Sequence, residues 1–179
     1  MGKQVEVTKV TAENGIRFFS ETSKHELFVL LNLSWSDSKQ LFESTKGLFE
    51  EQVANGAFSI TYKLWGIELE GFLNGNYAQL YIPQNKELGY EFITYVFNNQ
   101  KYLNSLQSLG EVKEFLRKKF PTIEKENVEN AERVKEEVRE SKITSVPTVI
   151  VDGVPSFDDG LVTFEQLYSL FNDNDNCTL

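Results

Sequence analysis

The sequence predicts an α/β fold in which a central mixed sheet is flanked by helices and interrupted by a helical insertion. Three observations predict it. Residues 27–33 form a nearly unbroken apolar run of strand length, which is typical of a strand covered on both faces. A helical pattern and a second strand pattern follow it directly, so these elements make one βαβ unit. A long helical stretch then separates this unit from a β-branched run at residues 147–151, which predicts the second half of the sheet.

The first half of the sheet extends to about residue 65, and the run at residues 27–33 is its first clear element. Apolar residues then recur at helical spacing up to residue 53, which predicts a helix from about Ser36, with Ser36 or Asp37 as its N-cap. Residues 58–64 alternate apolar with polar, which predicts the second strand of the unit. Trp65, which follows this strand, is expected in the core.

The insertion covers about residues 75–140 and is divided by Pro83 and Pro121 into several helices. We expect a helix over residues 91–106, a short helix that ends near Pro121, and a charged helix that runs to about Glu140 with a narrow apolar stripe.

The second half of the sheet follows the insertion. An Asp152-Gly153 turn predicts a hairpin between the strand at residues 147–151 and a strand beginning at Val154, and residues 163–166 have the form of a capping box for a last helix. The whole chain is predicted to be one domain, with a core of about residues 15–65 and 140–171 and a polar tail at residues 172–179.

Charge and hydropathy exclude several classes of partner. The chain has 18 Lys and Arg against 27 Asp and Glu, a formal net charge of −9, which repels nucleic-acid phosphates and anionic lipid surfaces. No apolar run approaches the roughly 20 residues that span a bilayer. The first residues lack the apolar segment of a signal peptide, so we expect a cytoplasmic protein, although a trimmed and exported form stays open. The oligomeric state is not encoded in any of these patterns.

The cysteine count restricts the chemistry most. The one cysteine, Cys177, lies in the polar tail, so no disulfide can form within the chain. One cysteine and one histidine, His25, cannot supply a zinc site either. We expect Cys177 to be an exposed thiol on a frayed end.

Three segments carry a family resemblance. Residues 33–43 (LSWSDSKQLFE) resemble the strand end, the Cys-x-x-Cys motif and the following Phe-Glu of the DsbA-like branch of the thioredoxin fold. Residues 144–153 (TSVPTVIVDG) resemble the segment around that family's cis-proline, and residues 90–100 resemble its insert helix. By this resemblance Ser36 and Lys39 stand where the two cysteines would be, and Pro147 is the candidate cis-proline. A trans proline at the start of a strand is the alternative.

The resemblance also implies what the chain cannot do. In the family one cysteine is activated as a thiolate at a helix N-terminus and the other resolves the mixed disulfide. The chain has no sulfur at residues 36–39, so it is predicted to lack oxidase, reductase and isomerase activity. It is therefore not assigned as an enzyme, and no catalytic residue and no metal site are predicted.

Three functions remain open. The leading hypothesis is a non-catalytic member without a cofactor that binds a peptide or protein in the groove near Pro147; the binding residues would be Trp35, Ser36, Asp37, Ser38, Val146 and Pro147. In it Val146 would offer its backbone to an extended peptide, and Trp35 would be an exposed contact or, equally, part of the core.

The second hypothesis is a glutathione-dependent transferase or isomerase resembling the kappa class, with Ser36 holding the glutathione thiolate. Under it glutathione would be the cofactor. The competing interpretation of residues 36–39 is an ordinary helix start. The third, disulfide work by Cys177 between chains, lacks a resolving thiol.

Overall fold

The computed structural model describes residues 8–123, 125–157 and 163–173. Five strands in this part form one mixed sheet in the order β1-β3-β2-β4-β5. The strands are β1 (Ile16–Phe18), β2 (His25–Leu31), β3 (Phe58–Leu64), β4 (Thr148–Val151) and β5 (Val154–Phe157). Strands β2 and β3 are parallel, and the other pairs are antiparallel. The predicted α/β class and central mixed sheet are thus confirmed.

Seven helices accompany these strands in the described residues. They are α1 (Ser36–Ala54), α2 (Leu73–Ala78), α3 (Lys86–Asn98), α4 (Gln100–Ser105), α5 (Leu109–Lys119), α6 (Val128–Glu140) and α7 (Phe164–Asp173), and a 3-10 turn (Gln79–Tyr81) follows α2. Helices α2 to α6 form the insertion between β3 and β4. The predicted single helix over residues 91–106 is instead two helices, because the backbone of Asn99 departs from helical geometry (φ −113°, ψ 19°).

Successive apolar residues of β2 belong alternately to two hydrophobic cores. Leu27, Val29 and Leu31 belong to the larger core, which includes residues of α1 and the insertion. Phe28 and Leu30 belong to a smaller core that also contains Val134 and Val138 of α6. Strand β2 is therefore covered on both faces, as its unbroken apolar sequence predicts.

The first half of the sheet contains the predicted strand and one more. Strand β1, which pairs antiparallel with β3, was not predicted from its short sequence. Strand β3 spans the predicted residues and is buried at all seven positions, including Lys63. Trp65 is half-buried and packs against the smaller core.

The helix ends show one correction and one agreement. The N-cap of α1 is Trp35, without a side-chain cap hydrogen bond, and not Ser36 or Asp37. At α7, the Gln166 backbone N–H donates to Thr163 Oγ1 and the Thr163 N–H donates to Gln166 Oε1, so the predicted capping box is present. Cys177 and the end of the polar tail lie outside the described residues.

Candidate functional site

The two segments that carry the family resemblance meet at one edge of the sheet. Strand β2 ends at Leu31, shortly before α1 begins, and Leu30 pairs with Thr148 at the start of β4. Continuing this antiparallel register places Pro147 beside Leu31 and Val146 beside Asn32. The turn between β2 and α1, residues 32–35, therefore lies against the segment that precedes β4.

The ladder between β2 and β4 stops at Thr148. The backbone N–H of Asn32 donates to Ser38 Oγ (3.0 Å), and the Asn32 carbonyl accepts the N–H of Trp35 (3.2 Å). Both main-chain groups of Asn32 are thus engaged within the turn, and Asn32 does not extend the ladder to Val146. The side chains of Val146 and Pro147 are buried, and the peptide bond between them is cis.

Asn32 is the centre of a buried polar network that fixes this turn. Its side chain is 1% exposed. The side-chain amide donates to the carbonyl of Trp65 (2.9 Å) and to Asn76 Oδ1 (3.1 Å), while its oxygen accepts the N–H of Ser34 (2.9 Å). With the bond from its backbone to Ser38, Asn32 ties β2, the end of β3, α2 and the start of α1 together. A network satisfied in this way rigidifies the backbone around it.

Helix α4 of the insertion satisfies the carbonyls of the same turn. Gln100 Nε2 donates to the carbonyls of Leu33 (2.9 Å) and Trp35 (3.0 Å), and Asn104 Nδ2 donates to that of Ser34 (3.0 Å). These carbonyls face the core side of the turn, where an unpaired acceptor would cost free energy. The insertion therefore holds the turn as well as covering the sheet.

Gly75 allows α2 to approach the turn closely. Its backbone N–H donates to Ser34 Oγ at 2.8 Å. A Cβ at this position would lie 2.4 Å from Ser34 Oγ and 2.5 Å from the Ser34 backbone nitrogen. Since backbone atoms cannot give way cheaply, only glycine fits here without moving α2 or the turn.

The predicted site residues at the start of α1 differ in exposure. Ser36 is exposed, and its hydroxyl donates to Asp37 Oδ1 at 3.3 Å. Ser38 is fully buried and its hydroxyl accepts the Asn32 N–H, so the expectation that Ser38 contacts a ligand is corrected. Lys39 Nζ lies 3.6 Å from Glu43 Oε1, one turn further along the helix. The carboxylate of Asp37 beside Ser36 disfavours a thiolate at this helix start, because like charges repel.

Trp35 contributes the largest exposed side chain beside the turn. It is 38% exposed, and its ring packs on that of Phe72 with a centroid distance of 5.1 Å. The segment that carries Phe72 also exposes Leu69 (57%) and Leu73 (62%). We refer to Trp35, Leu69, Phe72 and Leu73 as the Trp35 surface. Trp35 is thus exposed and is not part of the core, and its role as a binding contact stays a prediction.

Sequence reasoning missed the residues that hold the turn in place. Asn32 lies within the turn, whereas Asn76, Gln100 and Asn104 act on it from α2 and α4, which are far from it in sequence. One signal was present: Asn32 is the single polar residue in the apolar run at residues 27–33, and a polar group inside such a run needs partners. Its partners could not be identified without the structure.

Within the described ranges no group of three or more His, Cys, Asp and Glu side chains could hold a metal ion. His25 lies at the opposite end of β2 from the turn, where its Nδ1 is 2.7 Å from Asp152 Oδ2. None of the helices described is long and apolar enough to cross a membrane.

Comparisons with known proteins agree with this architecture. A family model described as thioredoxin matches residues 20–173. A conserved protein of unknown function from Enterococcus faecalis superposes with a TM-score of 0.83 at 24% identity, covering 96% of this chain and 98% of that one. No curated protein sequence matches the chain.

Two further solved structures also superpose on the chain. Oxidised BdbD from Bacillus subtilis matches with a TM-score of 0.67 at 9% identity over 94% and 97% of the two chains. Alpha-DsbA1 from Wolbachia pipientis matches with 0.69 at 11% identity over 92% of each. At these identities the likeness establishes the DsbA-like fold and nothing about activity.

Proposed function

The chain belongs to the thioredoxin family, and from this premise we propose that it is a member without redox activity that binds an extended peptide segment of a protein partner. The proposed site comprises the Trp35 surface, Ser36 and Asp37, and the backbone of Val146 before Pro147. The observation that supports it most is the end of the β2–β4 ladder. There the backbone N–H and carbonyl of Asn32 form hydrogen bonds within the turn, so Val146 is not paired with β2.

An extended peptide could add to this edge as a short strand. Main-chain hydrogen bonds to Val146 would provide affinity, and the neighbouring apolar side chains would select residues of the peptide. Trp35 is suited to this role because it is partly exposed, large and held from behind by Phe72. The hydrogen bonds from Asn32, Gln100 and Asn104 fix the turn in advance, so little conformational entropy is lost on binding.

The absence of redox chemistry follows from the atoms present. A disulfide exchange step needs an attacking thiolate, a mixed disulfide and a second thiol that releases it. Ser36, Asp37, Ser38 and Lys39 have no sulfur, and the chain has one cysteine in total. Insulin reduction by dithiothreitol should therefore proceed at the uncatalysed rate when the protein is added, and any catalytic turnover would contradict the proposal.

Binding can be tested with an extended peptide that contains no free thiol. We suggest titrating the 15N-labelled protein with carbamidomethylated insulin B chain and following amide chemical shifts. The proposal predicts saturable shifts at residues 32–38 and 146–148. Trp35→Ala should weaken binding at least fivefold, since a buried Trp contact at an interface is commonly worth more than about 1 kcal/mol.

Phe19→Ala is the matched control. Phe19 is an exposed aromatic residue (56%) that follows β1, away from the turn, so its removal should leave the affinity unchanged. Shifts confined to other surfaces, or equal losses for both variants, would contradict the proposal. Saturable glutathione binding that Ser36→Ala abolishes would replace it with the glutathione-dependent alternative.

A further inference from the structure

A cavity lies at the other end of α1 from the turn. Its volume is about 190 Å³, and its floor is made by the buried side chains of Phe49, Ile60 and Tyr62. The rest of its wall comes from Phe18 of β1, Tyr90 of α3, and Glu50, Val53 and Ala54 of α1. Phe49 and Ser36 are separated by thirteen residues of helix, or roughly 20 Å along its axis. The cavity is therefore independent of the peptide site proposed above.

Four aromatic rings surround this cavity. The ring of Phe18 stands nearly perpendicular to those of Tyr62 and Tyr90, with interplanar angles of 83° and 82° and centroid distances of 6.3 and 5.3 Å. The rings of Tyr62 and Tyr90 are 5.7 Å apart, and those of Phe49 and Tyr62 are 6.5 Å apart. These distances and angles are those of aromatic rings packed against one another. Where a ring borders the cavity, its π-system can attract an alkylated ammonium group through cation–π attraction.

The polar groups at the cavity favour a cation over an anion. Tyr90 donates its hydroxyl hydrogen to Glu50 Oε1 at 3.3 Å, and Glu50 has no ion-pair partner among the residues that the structure describes. Burial raises the pKa of the Tyr62 hydroxyl well above its usual value and raises that of Tyr90 as well, so both phenols stay neutral. The Glu50 carboxylate is then the one charged group in the wall.

A cation already sits against one of these rings. Lys46 Nζ lies 5.5 Å from the centroid of the Tyr90 ring. This distance is within the range of a cation–π contact, and it shows that the ring of Tyr90 can be approached by an ammonium group from the α1 side.

We propose that the cavity formed by Phe18, Phe49, Tyr62, Tyr90 and Glu50 binds a small alkylated ammonium ion. The aromatic rings would surround the alkyl groups, and Glu50 would balance the charge at the mouth. The volume suits a compact head group, because a protein cavity of about 150 Å³ is sufficient for one benzene molecule. An anionic ligand would be repelled by Glu50, and a long chain would not fit.

Choline and its uncharged analogue 3,3-dimethylbutan-1-ol test this proposal as a pair of similar shape. Each is titrated into the 15N-labelled protein, and amide shifts are followed around Phe18, Phe49, Ile60 and Tyr90. Choline should bind saturably in the millimolar range or tighter. The alcohol should bind about tenfold more weakly, because it lacks the charge that the rings and the carboxylate attract.

Three substitutions test whether binding depends on the cavity or on the overall negative charge of the protein. Glu50→Gln should weaken choline binding severalfold, whereas Glu51→Gln, which removes an exposed carboxylate at the next position, should not. Ala54→Trp, which fills the cavity from its edge, should abolish binding while the far-ultraviolet spectrum stays unchanged. Equal affinity for choline and the alcohol would overturn the proposal by showing a merely apolar pocket. Amide shifts confined to other parts of the protein would also overturn it. So would the absence of shifts at a choline concentration 50 times a dissociation constant of about 1 mM.

Discussion

The buried ion pair of Lys63 and Glu137 gives the sharpest prediction for stability. The Lys63 side chain on β3 is 0% exposed, and that of Glu137 on α6 is 16% exposed. Lys63 Nζ donates to the Glu137 carboxylate and to the carbonyls of Thr11 (2.8 Å) and Glu13 (2.7 Å). Desolvation by burial lowers the pKa of Lys63, and the hydrogen bond and charge of Glu137 oppose this lowering. Glu137 is therefore the main group that compensates the charge of the buried ammonium.

Removing the charge of Glu137 should lower the free energy of unfolding more than removing the ammonium group of Lys63. Loss of one partner of a buried pair costs about 3–5 kcal/mol, and we expect about 3 kcal/mol for Glu137→Gln because two carbonyls remain on Lys63. Lys63→Met should cost about 1 kcal/mol, since Glu137 is partly exposed and still accepts the hydroxyl of Thr11 at 3.0 Å. The exposed carboxylate of Glu136 provides the control, and Glu136→Gln should change stability by less than about 0.5 kcal/mol.

Urea unfolding followed by circular dichroism measures these differences. With an m-value near 3 kcal/mol/M, Glu137→Gln should lower the midpoint by about 1 M and Lys63→Met by about a third of that. If Lys63→Met proved as destabilising as Glu137→Gln, the reasoning would be refuted, because the cost would then come from lost packing or from the unpaired carbonyls of residues 11 and 13.

Two further predictions concern the turn and the tyrosines. Asn32→Ala should lower the free energy of unfolding by about 2–4 kcal/mol in urea titrations, because it leaves the Ser34 N–H and the Trp65 carbonyl without their partner; a loss below 1 kcal/mol would contradict the role of the network. Burial raises the pKa of Tyr62 and of Tyr90 in the fold, so stability present below the unfolded pKa of about 10 should fall as pH rises above it. Urea midpoints at pH 9 and pH 11 measure this fall, which should be smaller in Tyr62→Phe; an equal fall would count against it.

The local patterns of the sequence were sufficient for most elements. Helix α6 ends at Glu140, as predicted, because its narrow apolar stripe has helical spacing up to that residue. The hairpin of β4 and β5 turns at Asp152 and Gly153, both of which have positive φ (49° and 81°), a backbone conformation that Asp and Gly adopt more readily than most residues. In each case the residues that determine the structure are neighbours in sequence.

Contacts between distant segments account for what the sequence did not reveal. Strand β1 has three residues and gains its stability from pairing with β3, which no pattern within it indicates. No pattern within β3 indicates that Lys63 is buried, because the groups that cover its side chain belong to residues 11–13 and to α6. Ser36 is a good N-cap by propensity. Trp35 takes the position because Asn32, within the turn, and Gln100 of α4 hold its backbone.

For the candidate site, too, the sequence predicted some features and not others. Its position followed from two sequence segments that the fold brings to one edge of the sheet. The exposure of its members depended on packing: Ser38 faces inward and bonds to Asn32, whereas Trp35 is partly exposed. Side-chain direction at the first turn of a helix is set by how the preceding turn enters it, and that turn is fixed by the insertion.

Restoring the two missing sulfur atoms tests most directly whether a thioredoxin-family site persists in this chain without its chemistry. Ser36→Cys and Lys39→Cys would be combined in a Cys177→Ser background, with Ser36→Cys alone as the control. The two positions lie on one face of the first turn of α1 and have the spacing of the family motif. The double variant should form one internal disulfide and accelerate insulin reduction by dithiothreitol, and the single variant should not. A folded double variant that forms no such disulfide and shows no turnover would contradict this view of the turn.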